Sequence, residues 1–150
     1  MVKRSAGLLL YRMTTEYLEV FLVHPGGPFY VKKDLGSWSI AKGEFDMEEP
    51  LAAARREFRE ETGFDIAGDF VELDPIKQKG GKFVYAWAVE ANVDPTKIKS
   101  NTFPLEWPPK SGKIVEFPEV DRGEWFTIDN ARQKILAPQA PLLDDLLRKV

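Results

Sequence analysis

Glu48-Glu49-Pro50-Leu51-Ala52-Ala53-Ala54-Arg55-Arg56-Glu57-Phe58-Arg59-Glu60-Glu61-Thr62-Gly63-Phe64 is the stretch from which the rest of the chain is read. Its residues predict a helix over Pro50 to Thr62. Proline suits the first helical position, where its missing N–H leaves no bond unmade. Leu51, Ala54 and Phe58 recur at helical spacing and form a core-facing stripe. Gly63 follows as a left-handed stop. On this helix Glu57, Glu60 and Glu61 share one face, because positions three and four apart are neighbours. Like charges at that spacing repel by roughly 0.2–0.5 kcal/mol per pair. Glu60 and Glu61 also lie in the last turn, where the helix dipole favours cations. A solvated face laced with Arg–Glu pairs is the ordinary reading of such a charge run. A divalent cation on this face would relieve both conflicts. A Lys42-Gly43 turn before the helix, and the lack of any other ligand set in the chain, favour the cation.

Composition narrows what that cation can be. The 150-residue chain has no cysteine and one histidine, His24. Disulfides, thiolate catalysis and cysteine-held metals are excluded, and with them a zinc site of the usual nitrogen and sulfur type. The metal must be held by oxygen, which points to magnesium or manganese, with calcium behind them. Apolar residues make up 43% and charged residues 30% of the chain, a globular balance. The net charge of −3 speaks against a duplex nucleic-acid binder, which usually carries a basic excess. Ala6 to Tyr11 is too short for a secretory signal, and no segment reaches the roughly 20 apolar residues of a membrane span. A cytoplasmic protein without a membrane partner is the expectation.

Outward from the helix, alternation and turn residues predict one α/β layered domain over residues 1–150. Ser5 to Arg12 and Tyr17 to His24 read as strands joined by a Thr14-Thr15-Glu16 turn. His24-Pro25-Gly26-Gly27-Pro28 reads as a loop. Trp38 to Ala41 is a short apolar piece, and Phe64 to Leu73 is expected to be extended. Lys82 to Ala91 alternates Phe83, Tyr85, Trp87 and Val89 and reads as a strand entered by a Gly80-Gly81 hairpin turn. Asn92 to Lys113, rich in proline, reads as a long irregular segment of the kind that carries recognition. Glu124 to Ile128 reads as a late strand and Asp129 as the cap of a short helix over Asn130 to Ile135. Pro141 to Val150 reads as a closing helix with Leu142, Leu143, Leu146 and Leu147 as its apolar face.

Gly43 to Phe64 resembles the Nudix box, G-x5-E-x7-R-E-U-x-E-E-x-G-U, with U a bulky apolar residue. Arg56-Glu57-Phe58-Arg59-Glu60-Glu61-Thr62-Gly63-Phe64 matches its second half, and Glu48 stands eight positions before Arg56. Ser5-Ala6-Gly7, Trp38 to Gly43, and Phe117 to Arg122 with Trp125 extend the resemblance over nearly the whole chain. Two features depart from it. Only four residues separate Gly43 from Glu48, one fewer than the pattern, and Ala41 stands where many relatives carry proline. The resemblance implies a Nudix-type α/β/α sandwich with a mixed β-sheet and a loop-helix-loop catalytic motif. It also implies Mg2+-dependent hydrolysis of a nucleoside diphosphate linked to another group, with Mn2+ as a substitute and a small-molecule nucleotide as partner.

On that resemblance Glu57 and Glu61 are the principal metal ligands, and Glu60 is a ligand or the base that activates water. Arg56 orients a glutamate through a bidentate pair, Glu48 braces it, and Gly43 and Gly63 are structural. An acid outside the box often completes such sites. Glu119, six residues before Trp125, is the candidate, with Glu116 as the alternative. A carbonyl near Ala41 or Lys42 commonly helps to hold the metal in relatives. Lys42 is a candidate phosphate contact and Trp107 a candidate substrate contact. His24 makes no nucleophile triad with Ser39 or Ser5, since no glycine-flanked serine elbow is present, and is expected to line a substrate loop or end a strand. Two readings compete with a nucleotide pyrophosphohydrolase. One is a Nudix-fold module that binds a nucleotide without cleaving it. The other is an enzyme that removes pyrophosphate from RNA ends, which the acidic net charge disfavours.

Overall fold

Strand β1 (Arg4–Met13) runs through the middle of a mixed sheet in the computed structural model, which describes residues 3–150. One edge of β1 pairs in parallel with β6 (Lys82–Glu90), from Arg4↔Phe83 to Tyr11↔Glu90. Its other edge is shared. The first half pairs with β3 (Ala41–Phe45) and the last residues with β2 (Leu18–Pro25), both antiparallel. Beyond these lie β9 (Val120–Thr127) on β2, and the short strands β4 (Val71–Glu72) and β5 (Ile76–Gln78) on β6.

The sheet is buried on both faces, so its central strands are apolar on both sides rather than alternating with polar residues. Leu9, Val20, Leu22, Val84, Ala86 and Ala88 point one way, onto Ala131 of α2 (Ile128–Lys134) and onto Leu142, Leu143 and Leu146 of α3 (Ala140–Lys149). Ala6, Leu8, Leu10, Phe21, Val23 and Val89 point the other way, onto Ala53, Ala54 and Phe58 of α1 (Pro50–Thr62). This is the α/β/α layering the resemblance implies. Helix α1 has the predicted bounds. Pro50 opens it, and Gly63 closes it at φ 83 with its N–H donating to the Arg59 carbonyl.

Several local readings are corrected. Lys42-Gly43 is not a turn but lies inside β3. Of Phe64 to Leu73 only Val71–Glu72 is a strand. The second strand starts at Leu18, leaving Tyr17 exposed, and His24 and Pro25 belong to it rather than to the loop. The late strand begins at Val120, and Thr127 rather than Asp129 caps α2, its side chain accepting from the Asn130 N–H. The irregular segment holds a strand, β7 (Thr102–Glu106), which forms a two-stranded hairpin with β8 (Ile114–Pro118). Pro104 pairs there opposite Glu116. A two-stranded ribbon leaves alternate N–H groups unpaired, so it tolerates a proline that a central strand would not.

Leu147 is also 44% exposed, outside the buried face of α3, while Asp145 on the same helix is buried. The Asp145 carboxylate accepts from the Asp74 N–H at 2.7 Å and from Arg148 at 2.6 Å, with Lys149 at 3.2 Å. These donors, the Asp74 backbone first, hold its carboxyl at about 2 against an ordinary 3.8. A depressed acid contributes stability that is complete above the unfolded value and lost as pH falls through the folded one. Asp145→Asn is expected to cost on the order of 1–2 kcal/mol at pH 7, allowing for solvent around the exposed Arg148. Urea denaturation should find the gap between wild type and variant closing as pH drops from 3.8 toward about 2.

Candidate active site

Strand β3 places Lys42, Gly43 and Glu44 beside the second half of α1, and Gly43 is the point of closest approach. A Cβ there would overlap the carboxylate of Glu57. The glycine therefore leaves room for the Glu57 carboxylate against strand backbone, and a side chain here would push that carboxylate aside. Gly7 on β1 plays a related part, since its Cβ would meet the Ala41 carbonyl and the Lys42 Cβ at 2.6 Å.

Arg56 organises the acids of the helix. Its Nε donates to both oxygens of Glu48, at 3.0 and 2.9 Å, and its Nη2 donates to Glu48 Oε1 at 2.6 Å. Its Nη1 donates to Glu57 Oε1 at 2.8 Å and to Glu60 Oε2 at 3.0 Å. One planar cation thus spans three carboxylates, and its own pKa is raised by them, most by Glu48.

Glu57, Glu60 and Glu61 line one cavity of about 400 Å³ together with Lys42, Lys82 and Glu119. Glu119 faces the helix from the junction of β8 and β9. Its N–H donates to the Asn101 carbonyl at 2.8 Å and its carbonyl accepts from the Gly26 N–H at 3.0 Å. Burial pushes the Glu61 carboxyl up to about 9, and the charges of Glu57 and Glu119 add to the rise. Burial also raises Glu57, against the pull of Arg56. Lys42 is pushed down by burial, with Glu61 opposing the fall.

Among the described residues no three acidic side chains already surround a single point at ligand distance. Arg56 draws Glu57 and Glu60 to itself. The donor set nevertheless fits a hard divalent cation. It offers only oxygen, it brings Glu44, Glu57, Glu60, Glu61 and Glu119 to one cavity, and it holds a proton on Glu61 that a cation would replace.

The structure does not bring every predicted residue here. Trp107 lies beyond β7, away from the cavity, with its ring packed edge-on against Phe29 at 5.5 Å. Glu116 is exposed on β8, so of the two candidate acids only Glu119 reaches the cavity. His24 is fully buried. Its ring nitrogens lie 2.8 Å from Asp121 and 2.7 Å from the Lys33 carbonyl, so it braces a loop from beneath rather than lining it. Sequence reasoning missed Glu44 on β3; it also missed Lys82, Ser5 and Asn101, which line the cavity too. They arrive there through the parallel β1–β6 pairing and the root of the β7–β8 hairpin, and no local pattern signals either.

Because the Glu61 carboxyl keeps its proton below about 9, a cation that takes this group must displace that proton. Calorimetric titration of Mg2+ at neutral pH, in buffers of different ionisation enthalpy, is expected to find about one proton released per ion. Apparent affinity should rise with pH until about 9, and Glu61→Gln should abolish the release.

Comparison with known proteins places this geometry. The chain is similar to an Ap4A hydrolase of C. elegans solved as a binary complex, at 22% identity over 97% of this chain and 96% of that one, with a TM-score of 0.67. It is similar to the NUDIX domain of Shewanella oneidensis NrtR solved with ADP ribose, at 14% identity over 99% and 88% of the two chains, with a TM-score of 0.69. It is also similar to the E. coli ORF135 protein, at 18% identity over 98% and 89%, with a TM-score of 0.63. No match was found among curated proteins. At such identities the likeness is one of fold. The family model described as the NUDIX domain, however, matches residues 1–146, nearly the full length, and the chain belongs to the NUDIX family.

Proposed function

We propose that this chain hydrolyses a pyrophosphate bond in a nucleotide or a dinucleoside polyphosphate, using Mg2+, or Mn2+ in its place. The observation that carries the reading is the convergence of Glu57, Glu60, Glu61 and Glu119 on one cavity, with Gly43 clearing the space for Glu57. Enzymes of the NUDIX family generally use divalent metal ions.

Glu57 and Glu61 would be the principal holders of the cation, with Glu119 completing the set and Glu60 left as the base. When bound, the cation supplies positive charge against the phosphate oxygens and against the charge that grows on the leaving group. Arg56 occupies Oε1 of Glu57 and Oε2 of Glu60, so one oxygen of each is left for chemistry. Glu60 receives the proton of the attacking water on Oε1. The water oxygen bonds to phosphorus as the bridging P–O bond breaks, and the departing phosphate leaves with that bridging oxygen. Lys42 and Lys82 flank the phosphate chain. The burial that lowers Lys42 is offset once an anion lies beside it.

The NUDIX domain solved with ADP ribose favours a second reading, a module that binds a nucleotide without turnover. A substrate screen with Mg2+ and with Mn2+, identifying the phosphate bond broken, decides between them. Hydrolysis is expected for at least one nucleotide. Tight binding with no product across the screen would establish the module instead. Glu60→Gln should reduce kcat by about 10²–10⁴-fold, the range for loss of a general base. Gly43→Ala should reduce it by at least about 10²-fold through misplacement of Glu57, with the circular dichroism of the folded protein retained.

A further inference from the structure

Beside the carboxylate cavity lies a second one of about 210 Å³, and the two share a wall made of Lys42, Glu61 and Glu119. The walls peculiar to the second cavity are mainly apolar, with Val23, Ile40, Val120 and Leu136 among them. Tyr30, 41% exposed, is one polar residue peculiar to it, and the buried and half-buried ones are Ser37 and Ser39. Both serine hydroxyl hydrogens are already committed. Ser37 Oγ donates to the Asp34 carbonyl at 2.6 Å, and Ser39 Oγ donates to the Ile40 carbonyl at 2.7 Å. A carbonyl can only accept, so the direction of these bonds is not in question. Ser39 Oγ also accepts from the Gln139 amide at 3.0 Å. The Ile40 N–H donates to the other end of that amide, which identifies its oxygen and nitrogen. The backbones of Val23 and Ser39 bond to each other and offer no further donor.

Two serine oxygens therefore remain as acceptors only, among the apolar walls that the second cavity does not share with the first. A sugar would leave its several hydroxyls unmatched against such walls, whereas a flat heteroaromatic ring would not. We propose that this cavity seats the base of the substrate nucleotide and selects a base bearing an exocyclic amine, whose N–H groups donate to Ser37 and Ser39. The inference rests on the nucleotide reading of the adjoining cavity, because the shared wall puts a base within reach once phosphate lies at the carboxylates. A base without the amine leaves both acceptors unpaired, one of them buried and the other half-buried, and a loss of that kind discriminates between bases.

The test uses nucleoside monophosphates, which contain no pyrophosphate bond and so report binding apart from turnover. Adenosine monophosphate is compared with purine riboside monophosphate, and guanosine monophosphate with inosine monophosphate. Each pair differs only by the amine. Calorimetry on the full chain with Mg2+ is expected to give a Kd at least about tenfold lower for the amine-bearing member of one pair. In Ser37→Ala and in Ser39→Ala that preference should fall to within about threefold, while the phosphate end still binds. Equal affinities within both pairs, or no binding of any monophosphate, overturn the assignment, and these are wild-type measurements that hold even if a variant fails to fold. An amine preference persisting unchanged in both variants overturns it too. Amine preference without hydrolysis of any nucleotide counts against the proposed chemistry alone, and hydrolysis without the preference counts against the cavity's role alone.

Discussion

The guanidinium of Arg56, shared among Glu48, Glu57 and Glu60, is the contact on which the acidic face depends. Glu61, which Arg56 does not reach, holds its proton because it is buried and, secondarily, because Glu57 and Glu119 lie near it. Arginine is the suitable bridge because its fork is rigid and it stays charged at any pH the protein meets. A lysine at this position would offer its three donors from a single point, without the extended fork that spans these carboxylates. The bridge also has a direction. It binds Glu48 through Nε and Nη2 and leaves Nη1 for the two helix acids, so the segment before α1 is tied to the helix by the same group that aligns Glu57 and Glu60. The acids are thus ordered before any cation arrives, which lowers the cost of assembling the site around one.

That ordering is useful only because α1 is itself fixed. Ala53 and Ala54, small and fully buried, let the helix approach the sheet closely, and Phe58 fills the space between it and Phe21. Removing a ring buried this deeply typically costs about 3–5 kcal/mol, a large part of the roughly 5–15 kcal/mol by which a native protein is stable. On the neighbouring strands Gly7 and Gly43 omit the side chains that would keep β1, β3 and the helix apart. Packing energy, spread over apolar residues on both faces of β1, holds the backbone to the tolerance that the carboxylates require.

What could be read from the sequence was what is local. Pro50, the Leu51–Ala54–Phe58 stripe and Gly63 carry the bounds and orientation of α1 within thirteen residues. The alternation of β6 is equally self-contained. What could not be read depends on distant partners. Gly43 resembles a turn residue until Glu57 is folded over it. Asp145 resembles a surface residue of an amphipathic helix, and its main partner is the Asp74 N–H, 71 residues away. Pro104 argues against a strand, yet β7 exists because its one partner, β8, asks less of its backbone than a sheet interior would. The glutamates of the helix were legible together because one helical period sets their spacing. Lys82 and Asn101 were not, since Lys82 comes to the cavity through the sheet and Asn101 through a backbone bond to the Glu60 carbonyl from 41 residues along the chain.

The β7–β8 hairpin shows how a residue set and its mechanical support separate. Trp107, with its large ring among prolines, invites a recognition role, yet it packs on Phe29 away from the cavity. The consequential part of the hairpin is its root. Asn101 precedes β7 and accepts from the Glu119 N–H, while Ser100 accepts from the Val120 N–H at 3.0 Å. On the far side Gly26 donates to the Glu119 carbonyl and lies so close to Pro118 that a Cβ would collide with its carbonyl. Glu119 is therefore gripped through backbone from two sides, and its side chain is free to point at the acids of α1. An acid set on a connection between strands is normally the mobile member of a site, but these bonds make it part of the frame. The hairpin contributes to the cavity by holding that connection still, and its aromatic tip can vary without moving the carboxylates.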